Sequence, residues 1–282
     1  GCYGEAFLFD NHTLYAKWSR DIVEAQREDG CIPDVAPAFW NYYSDDLTWA
    51  AALPMALHMM MGQYGDPQPM RKYYPNVKRW LKHLKEQYQK EGIIYCGKYA
   101  DWCVPPEREE LIHSEDPARK TDVALISTAY YYHICRMMAG WANTQHLSAD
   151  AQWFEQEAQL TKKAFNSRFL TVKKGTATVK GHILYPDSTY YGNNTVTANV
   201  LPYSFGMIDD DYVKQQVEKQ IADVVTSDEE IYTTFRLLTS IPGIGFVNAV
   251  NTIANTQNFT AFETARQYAK YLAVAPSEHS SG

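Results

Sequence analysis

Two kinds of helical pattern alternate along the first two hundred residues. Residues 75–88 place Val77, Trp80, Leu81, Leu84 and Tyr88 at helical spacing, with Lys78, Arg79, Lys82 and Lys85 between them and Pro75 in the favoured first turn. Residues 149–170 repeat the pattern behind an N-cap at Ser148, with Trp153, Ala158, Leu160, Ala164 and Phe165 as the apolar stripe. Both predict helices with one wet face. By contrast, Leu47 to Met61 and Val123 to Met138 are apolar almost all round, which predicts helices enclosed on every side. The alternation predicts two concentric layers: a ring of helical hairpins whose inner helices are shielded by outer ones and whose inner rim makes a cleft. Three long connections, 29–43, 95–120 and 171–194, are placed at its mouth, where loops on a rigid scaffold usually carry function. Residues 176–185 alternate weakly and predict a short β-hairpin. Farther on, Val213, Val217, Ile221 and Val224 share one face of a helix over 211–225.

From about Phe235 the pattern changes. Leu-Leu-Thr-Ser-Ile-Pro-Gly-Ile-Gly (237–245) predicts a tight turn between two helices, a helix-hairpin-helix element over 240–254. Backbone N–H groups near Gly243 and Gly245, at the start of the second helix, suit a DNA phosphate without reading sequence. The competing reading is a glycine-rich turn between packed helices, favoured by a weak basic footprint: Arg236, Arg266 and Lys270 beside Glu263. Thr260 to Glu263 reads as a capping box opening a last helix. The expected organisation is a helical domain over 1–210, a junction helix of uncertain parentage over 211–234 and a different segment over 235–282, with the join between about 206 and 230.

Composition narrows this picture. The 282 residues are 45% hydrophobic and 14% aromatic, enough for a buried core, and the net charge of -7 with pI near 5.6 excludes polyanion binding by the chain as a whole. Any DNA role is therefore local and non-specific. The five cysteines form no CxxC pair and read as scattered buried thiols rather than a disulfide framework. No apolar run of about 18 residues predicts a membrane span. There is no glycine-rich phosphate loop and no clear metal-ligand pair among the eight histidines, so neither cofactor nor metal is expected, and His133 reads as a packed core histidine. The chain opens at Gly1 without Met, charged n-region or apolar h-region, which reads as an internal cut and leaves the compartment unassigned.

Sugar sites combine aromatic platforms for the C–H face of the ring with carboxylates that bind hydroxyls and do acid/base work. The candidates in the mouth segments are Glu5, Asp34, Asp45, Asp46, Trp49, Asp101 and Trp102. Taken singly, each acid is more often a solvated charge or helix cap, and each tryptophan more often core.

Taken in order, these segments resemble the catalytic domain of bacterial α-L-rhamnosidases, the six-hairpin (α/α)6 glycosidases. Gly1 to Ala6 (Gly-Cys-Tyr-Gly-Glu-Ala) is similar to the family's Gly-Trp-Thr-Gly-Asp-Ala, Asp29 to Pro37 to its Asp-Gly-x-x-Pro-Asp-x-x-Pro, and Ala100 to Trp102 to its Gly-Asp-Trp. Ile126 to Tyr132 and Phe165 to Leu170 are further segments of the same kind, and the resemblance runs to about Met207. It implies an all-α, partial (α/α)6 toroid followed by a small helical segment, and a substrate-binding set of Glu5, Asp34, Trp49, Asp101 and Trp102. The partner it implies is a rhamnose-containing glycoside or oligosaccharide. Cys2 stands for the family's tryptophan and Glu5 for its rhamnose-binding aspartate. The resemblance also implies a general acid just upstream of Gly1 and a general base on a Trp-Glu segment well downstream. An inverting glycosidase needs both, about 6.5–9.5 Å apart, so the 282 residues are expected to hydrolyse rhamnosides negligibly.

The last fifty residues resemble something else. Leu238 to Gly245, Phe259 to Tyr271 and Ala275 to Gly282 are similar, in order, to the C-terminal domain of insertion-sequence transposases that pair a DEDD-type nuclease half with a serine-bearing half. That resemblance makes Ser280 or Ser281 the counterpart of the family's nucleophile. It also implies that the acidic half is missing, so strand transfer is not expected and an inactive chimeric product is a further expectation.

Overall fold

The structure, a computed structural model, describes residues 2–37, 42–104, 106–173, 178–179, 182–183, 188–240, 249 and 253. Among them the order is α1 (Cys2–Leu8), α2 (His12–Glu24), α3 (Leu47–Ala50), α4 (Ala52–Tyr64), α5 (Gln68–Tyr88), β1 (Gln89–Lys90), β2 (Ile93–Ile94), α6 (Val123–Thr144), α7 (Ser148–Phe169), β3 (Leu170–Lys173), β4 (Thr178–Val179), β5 (His182–Ile183), β6 (Ser188–Tyr191), α8 (Val196–Ser204), α9 (Asp211–Thr226) and α10 (Glu229–Thr239). Packing divides the chain into two compact units: Leu14–Val217, and Gly1–Thr13 together with Glu218–Gly282.

In the larger unit the two helical patterns become two layers. The enclosed segments form α3 and α4, which bury Leu47, Leu53, Leu57, Met59 and Met60, and α6, which buries Tyr131, Ile134, Cys135, Met138 and Trp141. Helix α4 packs on α5 and α6 on α7, while α6 also meets α3 and α8, so the enclosed helices adjoin one another and each carries an outer partner. This all-α arrangement is the hairpin layering of an (α/α)6 toroid. Helix α4 stops at Gly65, whose φ of +64° allows the left-handed cap that returns its N–H to Met60.

Two outer helices depart from expectation in detail. Helix α5 begins seven residues before Pro75, behind Pro67, and Pro75 lies inside it. That proline is exposed, so its ring and missing N–H meet solvent rather than a packed neighbour. Val77, Trp80, Leu81 and Leu84 are buried as their spacing predicts. In α7, Ser148 is the first helical residue rather than the N-cap, a place taken by Leu147 without a side-chain bond. Leu160 is 61% exposed, whereas Phe154, Glu157, Thr161 and Phe165 are buried. The apolar stripe shifts because Glu157 finds partners inside: Lys85, Gln89 at 2.6 Å and the Tyr131 hydroxyl at 3.3 Å. A buried carboxylate is tolerated only when so satisfied.

Short strands close the outer connections. β1 and β2 pair through Glu91 and Gly92, both at positive φ, and a Cβ on Gly92 would lie 2.7 Å from Ala164, so glycine alone fits. The expected hairpin over 176–185 is β4 with β5, Thr178 opposite Ile183. It lies within a second antiparallel pair, β3 with β6, in which Leu170 faces Tyr191.

In the smaller unit α10 is capped by Asp228, whose carboxylate accepts from the N–H groups of Glu230 and Ile231, both at 3.0 Å. Leu238, Ala249 and Ile253 form its buried cluster, with Ile231 and Phe235 packed against them. The glycine turn at Gly243 and Gly245, the capping box at 260–263 and Ser280 and Ser281 lie outside the described residues. No described helix is long and apolar enough to cross a membrane.

Candidate functional site

The mouth segments meet at the N-terminal ends of the enclosed helices. Asp46 caps α3, Asp122 caps α6 and Thr195 caps α8, each accepting a hydrogen bond from a first-turn N–H. Asp46, 1% exposed, also reaches the next loop: one carboxylate oxygen accepts the N–H groups of Lys98 and Tyr99, both at 2.7 Å. Burial works to raise its pKa, but hydrogen bonds from Thr48, Tyr99, Lys98 and Trp49 outweigh it and hold the carboxyl below the usual aspartate range.

That clamp sets an aromatic ledge. Trp49, in the first turn of α3, stacks on Tyr99 with ring centres 4.5 Å apart and planes 29° apart. Tyr99 leans on Trp102 at 6.2 Å, and Trp102 meets His113 edge-on at 4.8 Å. Lys98 lies over both Tyr99 and Tyr42, at 5.3 and 5.8 Å from their ring centres. Trp102 is 43% exposed, as an apolar surface open to a ligand must be. Beyond it, Glu107 organises the return of the loop by accepting from the Ser114 hydroxyl and the Asp116 N–H, and these bonds lower its pKa to about 2.

Asp101 joins the same rim. One of its oxygens accepts from the Thr121 N–H at 3.1 Å and hydroxyl at 2.6 Å, and among the described residues the other has only a 3.4 Å contact from the Thr197 hydroxyl. Thr121 in turn meets Thr195. Asp101 therefore ties the start of α6 to the start of α8 while keeping one oxygen weakly engaged. Asp34 is placed differently: it is buried, and its two oxygens accept from the N–H and hydroxyl of Ser44 at 3.3 and 2.7 Å. Glu5 is an exposed residue of α1, in the other unit. Of the sequence candidates, the structure gathers Trp49, Asp101 and Trp102 along one rim through Tyr99, Asp46 and Thr121.

Two features escaped the sequence. Tyr99 links Trp49 to Trp102, and a lone Tyr before Ala-Asp-Trp carries no signal of that. The other is the convergence of Cys31, Asp45 and His83, whose ligand atoms all lie within 4.8 Å of one another. His133 is half-buried, stacked on Phe205 with planes 8° apart, and burial followed by the neighbouring His58 lowers its pKa to about 4. A cavity of about 330 Å³ between Lys162, Asn166, Tyr191 and Asp209 shares no residue with the ledge.

Residues 1–242 match the family described as bacterial alpha-L-rhamnosidase 6 hairpin glycosidase domain. The chain belongs to that family. Alpha-L-rhamnosidases from Streptomyces avermitilis (24% identical over 265 residues, 91% of this chain and 22% of that protein) and from Alteromonas sp. (29% over 186 residues, 63% and 20%) are similar to it. Solved structures share its fold. The alpha-L-rhamnosidase of Dictyoglumus thermophilum has a TM-score of 0.63 at 24% identity, covering 95% of this chain and 27% of that one. That of Streptomyces avermitilis, complexed with L-rhamnose, has 0.64 at 21%, covering 91% and 24%. The six-hairpin chain spans about a fifth of the length of the curated relatives it matches. Residues 235–282 match the transposase IS116/IS110/IS902 family, overlapping the first match over 235–242. The chain thus joins a rhamnosidase portion to a transposase-like end.

Proposed function

We propose that the six-hairpin portion binds the terminal rhamnose of a rhamnoside and that these 282 residues do not hydrolyse it. The observation that carries the binding half is the ledge Trp49–Tyr99–Trp102 beside the weakly engaged oxygen of Asp101, at helix N-termini. The methyl and C–H face of a 6-deoxy sugar suits the aromatic surface, and its hydroxyls suit Asp101. Asp34 supports that surface by holding Ser44. The rhamnose complex of the Streptomyces avermitilis relative supports this substrate class.

Inactivity is supported by the carboxylates themselves. A glycosidase general acid is kept protonated by an environment that raises its pKa. Among the described residues the carboxylates displaced from their ordinary range, Asp46, Glu107 and Asp150, are all displaced downward, because hydrogen bonds and Lys78 favour their charged forms. General acid and general base catalysis each contribute about 10²- to 10⁴-fold, so turnover needs carboxylates held in those two roles. The test is saturation-transfer NMR with L-rhamnose alongside an aryl rhamnoside assay. Transfer to the sugar's methyl protons without release of the aryl group is expected. Absence of transfer from folded protein sinks the binding half, and turnover at an ordinary enzymatic rate sinks the other.

The transposase-family match over 235–282 supports a second, local reading: non-specific contact with DNA phosphates through the backbone at Gly243 and Gly245. It requires a salt-dependent shift of duplex DNA that Gly243→Glu abolishes. Without that shift, the tail is a chimeric end with no binding of its own.

A further inference from the structure

Asp45 stands at φ +54°, an unusual backbone for an aspartate, and points its carboxylate into the outer layer rather than toward the rim. His83 on α5 lies with Nε2 2.9 Å from Asp45 Oδ1, and the Tyr88 hydroxyl donates to Oδ2 at 2.5 Å. Cys31 completes the group, with Sγ, the His83 ring nitrogen and a carboxylate oxygen mutually within 4.8 Å. Cys31 and His83 are buried, and the Asp45 side chain is only 12% exposed.

Backbone contacts set the Cys31 turn against α5. Gly30, at φ +101°, lets the turn approach α5 so closely that a Cβ there would sit 2.9 Å from the Arg79 carbonyl and 3.0 Å from His83 Cβ. The next residue, Cys31, donates its N–H to Asp29 at 2.9 Å, and its own carbonyl accepts from Arg27. Thiolate, imidazole and carboxylate in one buried place form the donor set of a four-coordinate, borderline-soft cation.

We propose that Cys31, Asp45 and His83 bind a divalent zinc-type cation that staples the Cys31 turn and Asp45 to α5. Tetrahedral bonds of ~2.0–2.3 Å put ligand atoms ~3.3–3.8 Å apart, so the three side chains reach that geometry by shifts of about 1 Å or less. Tyr88, bonded to the other oxygen of Asp45, orients the carboxylate, as groups behind metal ligands do. The fourth position falls to water. Binding displaces the Cys31 thiol proton to solvent and forms a sulfur–metal bond with no change of oxidation state. The staple is structural: Asp45 adjoins Asp46, which fixes Lys98 and Tyr99, so the site lies one residue from the clamp of the aromatic ledge. It stands whether or not the ledge binds rhamnose.

The test is refolding of the full reduced chain with cobalt(II), then zinc(II), followed by desalting. One equivalent of cobalt with a thiolate-to-cobalt charge-transfer band is expected, bleached by zinc, absent in Cys31→Ser and in His83→Ala, and retained in Cys103→Ser. No band in the wild type, or a band that survives Cys31→Ser, overturns the proposal. X-ray absorption on the zinc-loaded wild type needs no variant to fold: one sulfur with nitrogen and oxygen neighbours is expected, and a shell without sulfur overturns it.

Discussion

The Asp46 carboxylate and the Tyr99 ring belong to one device: Asp46 accepts the Tyr99 N–H at 2.7 Å, and the ring so placed stacks on Trp49, whose own N–H Asp46 accepts at 3.1 Å. A single buried carboxylate thereby caps a helix and registers an aromatic surface against it.

Asp46→Ala leaves the N–H groups of Trp49, Lys98 and Tyr99 without their acceptor. Because a buried donor left unpaired costs ~1–3 kcal/mol, the variant is expected to lose about 3 kcal/mol in urea unfolding, with rhamnose binding lost as well. Unchanged stability contradicts the clamp.

The same residue sets a pH dependence with a definite sign. Its folded pKa lies below the unfolded aspartate value of ~3.9, so the stability it contributes is present above that value and lost as pH falls through the lower folded one. Asp46→Asn is expected to flatten the acid limb of the stability curve below pH ~4, and an identical limb argues against it.

His133 acts in a higher window. Its pKa is lowered to about 4 by burial, so between the ordinary value of ~6.5 and about 4 the unfolded chain takes up a proton that the folded chain refuses. Stability is full above pH ~6.5 and declines by something on the order of 2 kcal/mol toward pH 4. His133→Phe, which keeps the contact with Phe205, should remove that part of the slope in a series of denaturant titrations.

Glu157 and Lys85 pair between α7 and α5, with Glu157 3% and Lys85 35% exposed. Glu157→Leu strands the Tyr131 hydroxyl and the Gln89 amide, while Lys85 can swing its ammonium into water. A loss of ~3 kcal/mol, the low end for a broken buried pair, is expected from thermal unfolding; a neutral effect means α7 does not need the ion pair.

How far the sequence could be read is clear from α5 and α7. In α5 the packed face is apolar apart from His83, so Val77, Trp80, Leu81 and Leu84 announce it. In α7 the core side includes Glu157 and Thr161, and hydrophobic spacing alone misplaced Leu160 on it. Ordered aromatic and acidic segments pointed to Trp49, Asp101 and Trp102. Asp46, read as one acid among several, is legible as a clamp only through its backbone partners 52 and 53 residues away. Cys31, Asp45 and His83 lie on three separate segments, and no local motif links them. The rhamnosidase and transposase resemblances were carried by residue words rather than physics, and both family matches agree with them.

Trp102 is the exposed end of the ledge, so Trp102→Ala should change stability by less than about 0.5 kcal/mol while removing contact area where the sugar would lie. Calorimetric titration of L-rhamnose into the folded wild type and into this variant compares the two directly. The account predicts saturable heat at millimolar sugar for the wild type and at least about tenfold weaker binding, ~1.4 kcal/mol, for the variant. Equal isotherms for both proteins, or no heat from the folded wild type, contradict it.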